Sequence, residues 1–104
     1  MALCRWAASH RGGEAIRPRA AALWGMAEVI NPVSGYSGPA MRTGPGHNCT
    51  VLIRPAWGAW LPMNCYRYGD SVNGVSTWTA VHYGGHFGWV SDYHLSGNGS
   101  IYPC

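Results

Sequence analysis

The tetrapeptide Thr43-Gly44-Pro45-Gly46 limits what this chain can fold into more than any other local feature. Proline holds its own φ at about −65° and the flanking glycines have access to positive φ, so the backbone is expected to reverse tightly there. No helix can pass through it. Short apolar runs recur between breakers of the same kind: Val51 to Ile53, Trp57 to Leu61, Trp78 to Val81 and Phe87 to Val90. Short strands punctuated by Gly, Pro and Asn predict an all-β barrel or sandwich. Only the N-terminal stretch has helical composition.

With 104 residues the chain is read as one domain, and the part that carries a core pattern is smaller still. A domain of about 60 to 75 residues hides only around 60% of its unfolded surface, so such folds often need a covalent staple. Six tryptophans, six tyrosines and four cysteines supply aromatic bulk and the means for two bridges. Four cysteines allow three complete pairings, and spacing alone does not choose among them. No Cys-x-x-Cys occurs, which weakens zinc and thioredoxin-like readings. A cysteine at the very tail suits an oxidising, extracytoplasmic compartment.

All seven cationic residues are arginine, and Arg5, Arg11, Arg17 and Arg19 lie in the first stretch. From Asn31 onward Arg42, Arg54 and Arg67 face Asp70 and Asp92, three positive charges against two negative, a formal +1. Polyanion binding asks for a basic stripe, so nucleic acid is not expected as a partner. Absence of lysine beside abundant Ala, Gly, Arg and Trp fits a GC-rich bacterial coding sequence. Residues 1–31 read as a leader, a degraded signal, a misassigned start or the end of an upstream domain, with a basic amphipathic anchor as the competing reading. The apolar run Ala20 to Ile30 is interrupted by Gly25 and Glu28, lacks a clear cleavage site and is too short to span a bilayer.

His82 and His86 stand four apart, a spacing that would place two metal ligands on one helix face. The intervening Tyr83-Gly84-Gly85 instead predicts a two-residue hairpin of type I′, with Tyr83 opposite His86 and His82 opposite Phe87. That register sends the two imidazoles to opposite sides of the sheet, so no metal site is expected. It also sorts Val81, Tyr83, His86, Gly88 and Val90 to one face, and Trp78, Ala80, His82, Phe87 and Trp89 to the other. Trp78 and Trp89 are expected under the C-terminal tail. Ser34, Ser71 and Ser76 read as turn residues without a nucleophile elbow, and Asp70 and Asp92 as single carboxylates in turns. No catalytic set and no cofactor is expected.

Arg42-Thr43-Gly44-Pro45-Gly46, and later Gly88-Trp89-Val90 followed by Tyr93 and Leu95, resemble the two ends of the bacterial SH3 (SH3b) domain. The segment around Cys65, the run Gly69 to Gly74 and Ser76-Thr77-Trp78 are similar to the secreted, cysteine-containing branch of that family. The resemblance covers residues 32–104. It implies a small SH3-like barrel of about five strands from Val33 to Leu95. It also implies a Cys65–Cys104 disulfide, worth about 3 to 4 kcal/mol on the chain-entropy model, with Cys49 left as a small buried hydrophobe and Cys4 in the leader.

The family implies a non-catalytic module that docks secreted proteins onto peptidoglycan peptides; apart from the family, no membrane span is expected, and the chain is expected to be a monomer. The alternative is a small disulfide-stabilised secreted protein that binds a protein target. Contact residues expected from loops flanking the matched motifs are Tyr36, His47, Asn48, Trp57, Tyr66, Tyr68 and Tyr83, and one of Trp57 and Trp60 is expected to pack inward. Stacking depends little on salt, so wall binding is expected to survive high ionic strength. Two departures stand out: Pro39-Ala40-Met41 precedes Arg42, which predicts an edge or late-starting strand, and Arg54-Pro55-Ala56-Trp57 replaces a polar turn.

Overall fold

The computed structural model describes Cys4 and residues 25–104 of the chain. Six strands form one antiparallel sheet: β1 (Met26–Glu28), β2 (Met41–Arg42), β3 (Val51–Ile53), β4 (Trp60–Val72), β5 (Val75–Tyr83) and β6 (His86–Ser91). Two 3-10 turns follow, at Asp92–His94 and Ser96–Asn98. The all-β expectation holds. The strand order is β1-β4-β5-β6-β2-β3, and its two ends, β1 and β3, do not pair, so the expected barrel is not closed. An isolated bridge from Val29 to Leu95 joins the segment after β1 to the turn after β6. β2 and β3 are short, with two and three residues. Pro39 and Pro55, which cannot donate to a ladder, flank that pair. As expected from Pro39, β2 starts late, although β3 and not β2 is the edge.

Local turn chemistry builds the central hairpins. Gly84 and Gly85 take φ of 57° and 81°, and the β5–β6 register pairs Tyr83 with His86 and His82 with Phe87, as the type I′ reading requires. Asn73 and Gly74 take φ of 49° and 87° and close the β4–β5 hairpin between Val72 and Val75. Asn-Gly is a strong hairpin signal, and it is the turn that the apolar-run pattern did not single out. Consequently Asp70 and Ser71 lie in β4, and Ser76 in β5, not in turns.

Period-two alternation then gives the sheet a core on each side. Val81 and Val90 join Ala27, Val29, Met41, Leu61, Met63 and Leu95 in the larger cluster, against which Tyr83 and Trp57 pack. Trp78, Ala80 and Trp89 form the second, with Val72 and Phe87 against it. This is the face sorting that the hairpin register predicts. Each fully buried large apolar side chain contributes roughly 1.5 to 3 kcal/mol. The expected cover of the indoles differs. Trp78 donates from Nε1 to the Asp70 carbonyl at 2.8 Å and meets His47 edge-on at 6.0 Å. The tail bonds elsewhere: Ser100 N–H donates to Thr79 Oγ1 at 3.0 Å, Tyr66 N–H to the Tyr102 carbonyl at 2.9 Å and Cys104 N–H to the Tyr66 carbonyl at 3.0 Å. Thr79 follows Trp78 in the strand, so the tail lies on the opposite face.

The boundary expected at residue 31 cuts through the observed core. β1 pairs with Trp60 to Pro62 of β4, and Ala27 and Val29 are fully buried. The remaining leader readings (signal, anchor, helix) lie outside the described residues, apart from Cys4. Cys65 pairs with Cys104 as the resemblance implies. Cys49 is not free: its Cα lies 5.1 Å from that of Cys4, and the two are disulfide-bonded. Sequence separation hid that pair, since the two cysteines are 45 residues apart and no local rule connects them. Among the described residues, no helix is long and apolar enough to cross a membrane.

Candidate functional site

The loop after β2 is the frame of the site. Thr43 N–H donates to the Thr50 carbonyl at 3.0 Å, Gly46 N–H to Gly44 at 2.9 Å and Cys49 N–H to Gly46 at 3.1 Å. The tight reversal forms as expected, yet neither Gly44 nor Gly46 takes positive φ. Glycine is demanded instead at Gly69 of β4, where an added Cβ would collide with the Pro45 carbonyl oxygen. That close approach lets Asp70 N–H donate to the Pro45 carbonyl at 3.3 Å, while His47 N–H donates to Asp70 Oδ2 at 2.7 Å. From inside the loop, Arg42 Nη1 donates to the carbonyls of His47 at 3.1 Å and Cys49 at 2.9 Å.

Two adjoining hollows open beside this loop. One of about 210 Å³ is walled by Val33, Tyr36, Pro39, Arg54 and Trp57. Another of about 100 Å³ is walled by His47, Val72, Trp78 and Ser91. Ala40, Arg42 and His94 line both, which makes them one continuous surface. Trp57 donates from Nε1 to the Tyr36 carbonyl at 2.6 Å, and its ring lies 5.5 Å from that of His94. The Arg54 guanidinium stands 4.7 Å above the Tyr36 ring and donates from Nη1 to the Gly38 carbonyl at 3.0 Å. His94 Nδ1 is 3.2 Å from the Ile30 carbonyl. A carbonyl only accepts, so Nδ1 is the donor of that contact.

Of the seven sequence-predicted contact residues, Tyr36, His47 and Trp57 share this surface. Asn48 is exposed in the same loop. Tyr66 and Tyr68 sit on β4, not on a loop, as an edge-to-face pair 6.0 Å apart, lining a separate hollow of about 330 Å³ with Thr77, Asn98 and Ile101. Tyr83 ends β5 and packs against the larger core. Trp57 is the inward member of its pair, since Trp60 is 59% exposed. Sequence reasoning missed Arg54 and His94 as wall residues. Arg54 was visible as a departure from the family's polar turn, whereas His94 carried no local signal. His82 stacks on Phe87 at 4.7 Å and His86 faces the other way, so the pair does not converge. Among the described residues, no group of three or more His, Cys, Asp or Glu side chains is arranged to hold a metal ion.

Asp92 opens the 3-10 turn as a single carboxylate, but a buried one: it is 1% exposed, and Thr79 Oγ1 donates to its Oδ1 at 2.6 Å. Gly99 closes over the pair so tightly that a Cβ there would strike both side chains. Burial pushes the Asp92 carboxyl above its ordinary 3.8, with bonds from Thr79 and Thr77 opposing the shift. A raised folded value means that the unfolded chain loses its proton first. Asp92 therefore supports the fold fully below pH 3.8 and progressively less as pH rises toward its folded value. His82 works in the opposite direction: burial lowers it below 6.5, so its contribution is lost as pH falls from that value. In urea melts from mild acid to neutrality, Asp92→Asn should remove the decline above pH 3.8 and leave the His82 limb in place. An unchanged profile would mean that Asp92 is ionised at no cost in the folded chain.

Comparison with protein-family models, curated proteins and solved structures found no match for this chain.

Proposed function

We propose that this protein is a non-catalytic binding module that acts outside the cytoplasm and docks onto peptides of the bacterial cell wall. The observation that carries the reading is the continuity of the two hollows through Ala40, Arg42 and His94, which joins Tyr36, Trp57 and His47 into one aromatic, concave surface. Such a surface suits an extended peptide held by stacking and a few hydrogen bonds. The SH3b-like motifs at Arg42 to Gly46 and Gly88 to Val90 support the same reading, since Arg42 lines both hollows and His47 and Ser91, which directly follow the two motifs, line one of them. Two disulfides fit an oxidising compartment, where small domains with limited cores are commonly stapled.

Sedimentation with purified peptidoglycan sacculi tests it. Wild type should co-sediment, and Tyr36→Ala should weaken binding by about 1 to 3 kcal/mol with an unchanged melting temperature. Tyr36 is 55% exposed, so its ring can be removed without opening a core. Trp57→Ala is a poorer probe, because the indole also packs on the larger core and anchors the Tyr36 carbonyl. Failure to sediment, combined with retention by a purified protein target, would replace wall binding with protein binding.

A further inference from the structure

We propose that the Tyr36–Trp57 hollow is a carboxylate site, in which Arg54 and Arg42 receive the anionic end of a ligand whose apolar body lies along Val33, Pro39 and Trp57. The proposal deepens the binding-module reading, on which it rests for the role of this surface, by naming the group that is recognised. Two arginines line the hollow and no acidic residue does. Among the described residues, neither guanidinium meets a carboxylate.

Each arginine is instead held by carbonyls, Arg54 by Gly38 and Arg42 by His47 and Cys49, through Nη1 alone. Those bonds orient the planar fork without neutralising it. A guanidinium has five N–H donors, so the others remain for an incoming oxygen pair. Arg42 and Arg54 line the same hollow, and Arg42 is pushed below its ordinary value by burial first and then by the charge of Arg54. A bound anion relieves that repulsion.

The walls decide what kind of anion. Fork geometry matches carboxylate oxygens in parallel pairs, and the remaining lining is largely apolar or aromatic. That combination suits the carboxylate terminus of a peptide better than a polyanion, for which a formal +1 between residue 31 and the C-terminus supplies little field. The site also modifies the salt-independence expected from stacking alone. An ion pair near the surface weakens as the Debye length shrinks from about 8 Å at physiological ionic strength to about 3 Å at 1 M.

The test uses the intact, disulfide-bonded chain and heteronuclear NMR, following the Trp57 indole N–H and the Arg54 side-chain N–H. N-acetyl-dialanine as the free acid, the same dipeptide as its carboxamide, and inorganic phosphate are titrated at one pH and one ionic strength. The acid should shift both signals saturably and bind at least about tenfold more tightly than the amide, since a charge-assisted fork is lost in the latter. Arg54→Gln should abolish the preference for acid over amide, and Arg54→Lys, which keeps charge but not the fork, should retain part of it. Equal binding of acid and amide, silence from both, or an unaltered preference in Arg54→Gln would overturn the proposal. Tighter binding of phosphate would reassign the site to phosphate. Sacculus sedimentation separates the two readings: sedimentation without an acid preference removes only the carboxylate site, and an acid preference without sedimentation removes only the wall-binding function.

Discussion

Replacing Cys65 and Cys104 together with serine is expected to lower the unfolding free energy by about 4 kcal/mol, the chain-entropy value for a loop spanning 39 residues. The bridge pins the segment in which Tyr66 N–H donates to the Tyr102 carbonyl, Cys104 N–H donates to the Tyr66 carbonyl and Ser100 N–H donates to Thr79 Oγ1. Loss of the tail also uncovers Asp92, so the damage extends beyond the tail itself. Urea denaturation gives the free energy, and amide exchange at Tyr66 gives the location. A midpoint equal to that of wild type, with Tyr66 still protected, would show that noncovalent contacts alone hold the tail.

Gly69→Ala is expected to cost about 3 kcal/mol, the upper part of the range for inserting atoms into a packed site. The clashing atom is the backbone carbonyl oxygen of Pro45, which has no rotamer to escape into. Relief requires the whole Thr43 to Cys49 loop to lift from β4. The bonds from Asp70 to Pro45 and from His47 to Asp70 would then break, and the wall formed by His47 and Trp78 would open. Calorimetry should show the lower melting temperature, and the His47 and Trp78 resonances should move further than those of Tyr83. If the melting temperature is unchanged, the loop is not docked on Gly69 and the hollow beside it is not preformed.

Much of the central sheet is legible in the order of residues along the chain. The glycines at 84 and 85 set a type I′ turn, the turn set the register, and the register assigned Val81 and Val90 to one core and Trp78, Ala80 and Trp89 to the other. Every step there involves neighbours in sequence and the period of two that a pleated strand imposes. The Cys65–Cys104 bridge came from resemblance, not from spacing, and the structure contains it.

Tertiary contacts decided the rest. Three residues of the supposed leader became β1 because Ala27 and Val29 complete a core that the strands from Val33 onward leave short. Glu28 N–H is tied to Ser96 Oγ across 68 residues, and Asn31 Nδ2 to the Tyr93 carbonyl across 62. Cys4 reached Cys49 in the same way, and Asp92 was buried by a tail whose course no local rule supplies. Arg54 and His94 met at Trp57 and Tyr36 because the loop before β2 folds onto Pro55, so closely that a side chain on Gly38 would collide with the Pro55 carbonyl. Turn angles and strand alternation are written residue by residue, whereas the hollow is a product of chain closures over long separations, whose entropy is offset only when the whole core forms at once.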